Sequence, residues 1–502
     1  MQVIKKLVSD TAIYGLSSII GRLLNYLLVP FYTSIFLPAE YGIITEFYAY
    51  AAFLGTLYAC GLETTYFRFA SQEKSTKTFH VATSMLTLIS LCLSLLFVFL
   101  ATPLIDWMGY PGCERYIYYL VTILTIDTLL AIPFAQLRLQ RKALFFASAK
   151  LFQIGLNLTL NFLLLYGFQS VYQGQTLPWL QAWVVKFYNP FLSIDYVFIA
   201  NIIANAALLL VLAKPFLQLQ FQLPWQKVKP MLIYAFPLLL MGLAGTVNEM
   251  LSRVLLKYLL PVDLYPGKSP IVILGIFGAC YKLSVFMALA IQALRYAAEP
   301  FFFTHAQDQN SPKLFSQIMH GYIMVACFIL FAISANLDLL GYVFLRNPVY
   351  RSGIEIVPYL LLAYLWLGIY YHLSIWFKLA DKTYYGTLIT GIGAIVTVLA
   401  NIGLVPYWGY WGSVWATVAS YTTMSWICYY QGQKHYPIPY LIKRGLLYIC
   451  CTIGLVPIIR HIHYTSWYTA IITNLGLTFL FGLLVYKLFC RDMHAKTPTQ
   501  CT

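Results

Sequence analysis

Charged side chains inside long apolar runs are the residues of this chain best placed to do chemistry. Glu249, Arg253 and Lys257 stand at i, i+4 and i+8 in a stretch otherwise written in Leu, Met and Val, so a helix would carry all three on one face. Arg22 and Lys282 lie within apolar runs of their own, and Asp127 sits near the middle of another. An arginine at mid-bilayer costs at least ~2.5 kcal/mol even on the lenient insertion scale, so such groups usually line wet cavities and meet an anion there. One reading of the stripe is therefore a cationic wall for a phosphate headgroup, with Glu249 competing for Arg253 when the site is empty. A charge pair at 4 Å is worth ~4 kcal/mol at an effective dielectric of about 20, enough for such an exchange of partners. The other reading is a Glu249–Arg253 pair that neutralises itself, with Lys257 snorkelling to the outer interface. Lys282 is too deep to snorkel, whereas Arg295 is explained by the cytoplasmic interface. Asp127 is either a proton or sodium carrier or the partner of a buried basic residue, and Glu63 with Arg68 reads as a cytoplasmic gate or interface pair.

The elements that must hold these residues are set by composition. Of 502 residues, 60% are apolar and only 10% charged, whereas a soluble globule needs roughly a quarter charged. An all-α polytopic membrane protein of about fourteen helices is expected, at residues 8–31, 42–66, 80–101, 116–137, 146–168, 193–213, 231–258, 271–297, 316–337, 355–377, 385–405, 410–430, 444–460 and 467–489. The net charge of +15 comes from Lys and Arg gathered in short loops, which is a topology signal and not one for nucleic acid. With a cytoplasmic start, about two thirds of these cations fall in even-numbered, inner loops, which puts both termini in the cytoplasm of a multi-pass inner-membrane protein. The amphipathic start Met1–Ser9 leads straight into a span and carries no cleavage pattern. The outer loop around Gln169–Ser193, with Trp179, Trp183 and Tyr188, reads as an interfacial segment.

Other chemistries find little support. The ten cysteines show no metal-ligand spacing, and no HExxH, P-loop or GxSxG motif is present. The first outer loop, Thr33 to Tyr41, lacks the acidic pair a lipid-dependent glycosyltransferase would need, and Asn157-Leu158-Thr159 matches the glycosylation pattern only inside a span. The expected protein is not an enzyme and holds no cofactor or metal, H+ or Na+ being the coupling ions open to it. A weak internal repeat pairs RLLNYLLVP (Arg22–Pro30) with RVLLKYLLP (Arg253–Pro261), each with an arginine eight positions before a proline; this is what parallel six-helix repeats would give, and equally what coincidence in leucine-rich sequence would give.

Several longer stretches carry a family resemblance. GLSSIIGRLLNYLLVPFYTSIFLPAEYGIITEFYAY with GLETTYFRF after it, YKLSVFMALAIQALRYAAEPFFF from Tyr281, and SIWFKLADKTYYGTLITGIGAIVTVLANIGLVPYWGYWGSVWAT from Ser374 resemble bacterial polysaccharide biosynthesis flippases of the Wzx type. The resemblance implies two six-helix bundles around a central cavity, at 1–213 and 214–430, with two extra helices and a tail at 431–502. It implies alternating access for an undecaprenyl-pyrophosphate-linked oligosaccharide, with Arg22, Arg253 and Lys282 attracting the pyrophosphate and Asp127 or Glu249 serving ion coupling or gating. Lys257, Glu63, Arg68 and Arg295 are secondary candidates. The implied partners are the polyprenyl-linked glycan, the bilayer, and a polysaccharide polymerase and glycosyltransferases, with no nucleic acid. A lipid II flippase and a cation-coupled multidrug or metabolite exporter are the alternatives.

Overall fold

The computed structural model describes residues 15, 19–73, 76–304, 311–380, 382–462 and 466–494. The amphipathic start Met1–Ser9 and both chain termini lie outside the described residues. Among the described residues there are helices and no strands, as expected of a chain whose backbone N–H and C=O groups must be bonded without water. Among the described residues eleven helices are long and apolar enough to cross a membrane, twelve if the bent pair Pro270–Lys282 and Val285–Arg295 is one span. The shorter helix Ile19–Ile35 and the 26-residue helix Tyr410–His435, rich in Ser, Thr and Tyr, stand where the first and twelfth spans were expected. The chain is an all-α polytopic membrane protein.

The fold comprises two compact units. One contains residues up to Leu28 and from Ile43 to Thr246; the other contains Val29–Gly42 and everything from Val247. The division thus falls inside the seventh span, Trp225–Leu259, and not at 213 or 430. Val228, Met231 and Ala235, in the first half of that span, complete an apolar cluster with Leu62, Val81 and Ile132 and so belong to the N-terminal unit. The last two helices belong to the C-terminal unit, where Phe481 stacks on Phe331 at 4.0 Å between ring centroids. Burial orders the helices of that unit. In the stretch Pro348–Leu379 72% of the apolar window is buried, against 6% in Trp467–Arg491, so the former is its core and the latter offers its surface to lipid.

Three spans expected to be continuous are interrupted. The second ends as a helix at Ala59, turns through Cys60 and Gly61, both with positive φ (48° and 65°), and resumes as Leu62–Glu73. A side chain at Gly61 would sit 2.8 Å from the carbonyl oxygen of Ala235, so the turn needs glycine for space as well as for conformation. The fifth carries a π-helical turn at Leu163–Gly167. The eighth breaks after Lys282 and bends by 44°; there the carbonyl of Tyr281 accepts from both the hydroxyl of Ser284, at 2.6 Å, and its backbone N–H, at 3.1 Å, which closes the end of the first half-helix. The segment around Gln169–Ser193 contains the helix Pro178–Phe187, with Trp179, Trp183 and Phe187 exposed, while Tyr188 is buried and stacks on Tyr196.

Two features tighten the C-terminal unit. Gly42 and Gly275 let the start of the second span lie directly on the helix Pro270–Lys282, since a Cβ at Gly275 would overlap the carbonyl of Pro38 and one at Gly42 that of Ile271. A buried, uncharged polar seam joins the seventh, eleventh (Tyr384–Trp408) and twelfth (Tyr410–His435) spans. Asn248 donates to the carbonyl of Thr390 and accepts from the Thr397 hydroxyl, Asn401 donates to Ser252, and Ser413 donates to Asn401, each at 3.0 Å. Gly275→Ala should cost roughly 1–3 kcal/mol through overpacking. Thermal unfolding in detergent would register this as a lowered midpoint, and an unchanged midpoint would show that the two helices can separate freely.

Candidate functional site

Arg253 organises the site in the C-terminal unit. Its guanidinium carbon lies 4.1 Å from the centroid of the Tyr281 ring, and Nη1 donates to the Met250 sulfur at 2.8 Å. Its Nε is buried with no hydrogen-bond partner. Tyr281 in turn shares a 3.0 Å hydrogen bond between hydroxyls with Tyr364 of the tenth span. Tyr281 is the residue before the last in the first half-helix of the eighth span, so Lys282, which ends that half-helix, sits at the negative end of its dipole with its side chain exposed. Lys282 feels the charges of both Arg253 and Glu249.

The Glu249–Arg253 pair is not closed. Glu249 is exposed, and no ion pair joins it to Arg253 among the described residues, although the two interact through space. The arginine is held by a ring and a thioether, neither of which neutralises it, so its charge and at least one N–H stay available to an anion. A guanidinium and an ammonium that feel each other's charge suit a phosphate or diphosphate, whose oxygens accept two parallel N–H bonds from the guanidinium. Lys257 is half-buried with its ammonium 5.3 Å from the Tyr258 ring, and Arg295 is exposed over Tyr371 at 4.4 Å.

The remaining candidates belong to the N-terminal unit. Arg22 is exposed on the helix Ile19–Ile35. Asp127, on Arg115–Leu139, accepts from the Asn205 amide at 2.8 Å. Asn205 accepts from Gln153, and Gln153 accepts from Lys150 at 3.3 Å, so two amides bridge a carboxylate to an ammonium across three spans. Asp127 thus reaches a basic residue, Lys150, only through the two amides. Glu63 and Arg68 do not pair with each other. The carboxylate of Glu63 is bonded to Arg138, and Arg68 lies over the Tyr234 ring at 4.2 Å, because five positions place the two residues on different faces of the helix.

Sequence reasoning missed several residues. Tyr281 and Tyr364 looked like two of 41 tyrosines, most of them assignable to interfacial belts. Lys150 with Gln153, and Asn201 with Asn205, had a readable signal, polar residues at helical spacing in apolar runs. Glu46, fully buried, accepts from Tyr110 at 2.6 Å and Tyr50 at 3.3 Å, and Asp195 pairs with Arg115 at 2.6 Å.

A many-helix fold in which cations inside the spans face rings and amides defines an all-α polytopic membrane protein. Comparison with known proteins agrees. The family model described as polysaccharide biosynthesis protein matches residues 7–306, and the chain belongs to that family. No curated protein matches in sequence. Among solved structures, the fold is similar to the lipid II flippase MurJ in an inward closed conformation, with a TM-score of 0.70 at 13% identity over 96% of this chain and 99% of that one. It is also similar to an inward-facing multidrug resistance MATE family transporter of the MOP superfamily, at 0.55 and 12% over 89% and 95%. The Vibrio cholerae MATE transporter VcmN in its bent form gives 0.50 and 14% over 88% and 98%.

The bridged charge pair makes a specific expectation. Lys150→Met should destabilise the protein by leaving Asp127 uncompensated, and Lys150→Met with Asp127→Asn should recover most of the loss. Unfolding midpoints of the single and double variants check this; additive losses would mean that the two charges are independent.

Proposed function

We propose that the chain is a flippase that carries an undecaprenyl-pyrophosphate-linked oligosaccharide across the cytoplasmic membrane, for surface polysaccharide or lipopolysaccharide synthesis. The observation that supports this most directly is Arg253, inside a span with its Nε unpartnered and its charge set against a tyrosine ring rather than a carboxylate, within electrostatic reach of Lys282. The family match supports the glycan class, and the shared fold supports a transporter over an enzyme. In this reading Arg253 and Lys282 hold the pyrophosphate, and the polyprenyl tail stays in lipid while the headgroup crosses. Binding at one membrane face and release at the other follow from alternating access of the two units. Glu249 draws Arg253 away from the departing anion and so resets the empty site. Both termini are cytoplasmic, and a polymerase and glycosyltransferases act on either side of the transport step.

A gradient of H+ or Na+ acting through Asp127 or Glu249 supplies direction, since flipping alone is near neutral in free energy. Asp127→Asn should blunt any dependence of transport on such a gradient; undiminished dependence would make Asp127 structural. The central test is translocation of a polyprenyl-pyrophosphate-linked oligosaccharide in proteoliposomes, with lipid II as competitor. Arg253→Ala should lower substrate affinity roughly ten- to hundredfold while leaving the elution profile of the purified protein intact. Normal transport by that variant would remove the cationic site from the mechanism. Absence of transport by well-folded wild type, with export of cationic dyes instead, would favour a cation-coupled exporter.

A further inference from the structure

A second basic pocket lies in the N-terminal unit, separate from Arg253 and its neighbours. It is a cavity of about 690 Å³ whose polar lining is His80, Gln136, Gln140, Lys142, Lys214 and Gln218, with no carboxylate. Lys142 and Lys214 are exposed, and no ion pair engages either among the described residues. Elsewhere in the same unit Arg115, Arg138 and Lys227 are each bonded to a carboxylate.

The geometry turns further donors toward the same space. The backbone N–H of Gln220 donates to Nδ1 of His80 at 3.2 Å, so in the neutral ring the proton is on Nε2, which is left as a donor. Lys142 is the N-cap of the 20-residue helix Ala143–Phe162, whose first turn has no side-chain cap, so its N–H groups and the positive end of its dipole add to the field. Beside these polar groups the cavity is walled by Phe145 and Val211, which are 44% and 43% exposed, and by Leu212. The pocket therefore joins a cationic, donor-rich rim to an apolar wall that continues onto the lipid-facing surface. On the charge-based topology this is the cytoplasmic end, the side on which anionic lipid headgroups attract basic segments.

From this juxtaposition we infer that the pocket is a binding site for an anionic glycerophospholipid, with Lys142 and Lys214 on the phosphodiester, His80 and the glutamine amides on the glycerol headgroup, and the first acyl methylenes against Phe145 and Val211. The phosphate chemistry is shared with the transported lipid, so the test separates the two sources. It needs no transport assay, and its failure leaves the flippase reading untouched.

Delipidated full-length protein would be titrated with phosphatidylglycerol, phosphatidylcholine, undecaprenyl pyrophosphate and inorganic pyrophosphate, and adducts counted by native mass spectrometry. Wild type should retain phosphatidylglycerol in preference to phosphatidylcholine. Lys142→Gln with Lys214→Gln should weaken that retention roughly tenfold or more. Lys229→Gln with Lys382→Gln, an equal loss of charge elsewhere, should leave it unchanged. Equal retention by wild type and the Lys142/Lys214 variant would overturn the proposal, as would equal losses in both double variants. So would a Lys142/Lys214-dependent adduct with undecaprenyl pyrophosphate or inorganic pyrophosphate but none with phosphatidylglycerol.

Discussion

In hydrocarbon, a peptide group that is not bonded within its own helix must find another partner in the protein, and the shape of this chain follows from that constraint. Helices stop only where something covers the stop. At the break in the eighth span the Tyr281 carbonyl accepts from both the N–H and the hydroxyl of Ser284, and the turn at Cys60–Gly61 is pressed against the backbone of the seventh span. These breaks are also where chemistry collects. Ending a helix at Lys282 places its ammonium by the exposed carbonyl end of that helix and sets Tyr281 beneath Arg253, which an unbroken span would not do in the same way.

Charges within the spans obey a related rule. Arg253, Arg68 and Arg295 each rest on an aromatic ring, Glu46 is held by tyrosine hydroxyls, and Asp127 by an amide. Rings, hydroxyls and amides lower the cost of a buried ion without cancelling its charge, unlike a direct ion pair. The pairs that do close, such as Arg460 with Asp338 and Glu355, or Lys227 with Glu73, lie at helix ends and fasten segments together. The two kinds of contact separate groups that remain able to meet a ligand from groups already spoken for.

Much of this was legible in the amino-acid order. Apolar run length reveals the spans, and the i, i+4, i+8 spacing reveals the Glu249–Arg253–Lys257 face, because both depend only on local helix geometry. The break in the eighth span was not legible, since Leu283–Ser284 carries neither glycine nor proline. Nor was the change of unit within the seventh span, where one helix supplies Val228, Met231 and Ala235 to one core and Asn248 and Ser252 to another seam. Ring partners for arginine escape a linear reading for the same reason. Tyr281, the ring under Arg253, is 28 positions from it, and Tyr364, which bonds to Tyr281, is 83 further on, with nothing nearby to mark either among so many tyrosines.

The uncharged seam of Asn248, Ser252, Thr397, Asn401 and Ser413 has an electrical meaning. A membrane potential does work only on charge, about 2.3 kcal/mol for one elementary charge carried through 100 mV, and along this seam it has none to act on. The packing of the seventh, eleventh and twelfth spans is therefore blind to voltage, while Arg253, Lys282 and Glu249, which sum to one net positive charge, are not. Under the proposed function a doubly charged diphosphate would reverse that sign. An inside-negative potential would then draw the empty site inward and drive the loaded one outward, so that the cargo itself decides the direction in which the field pushes.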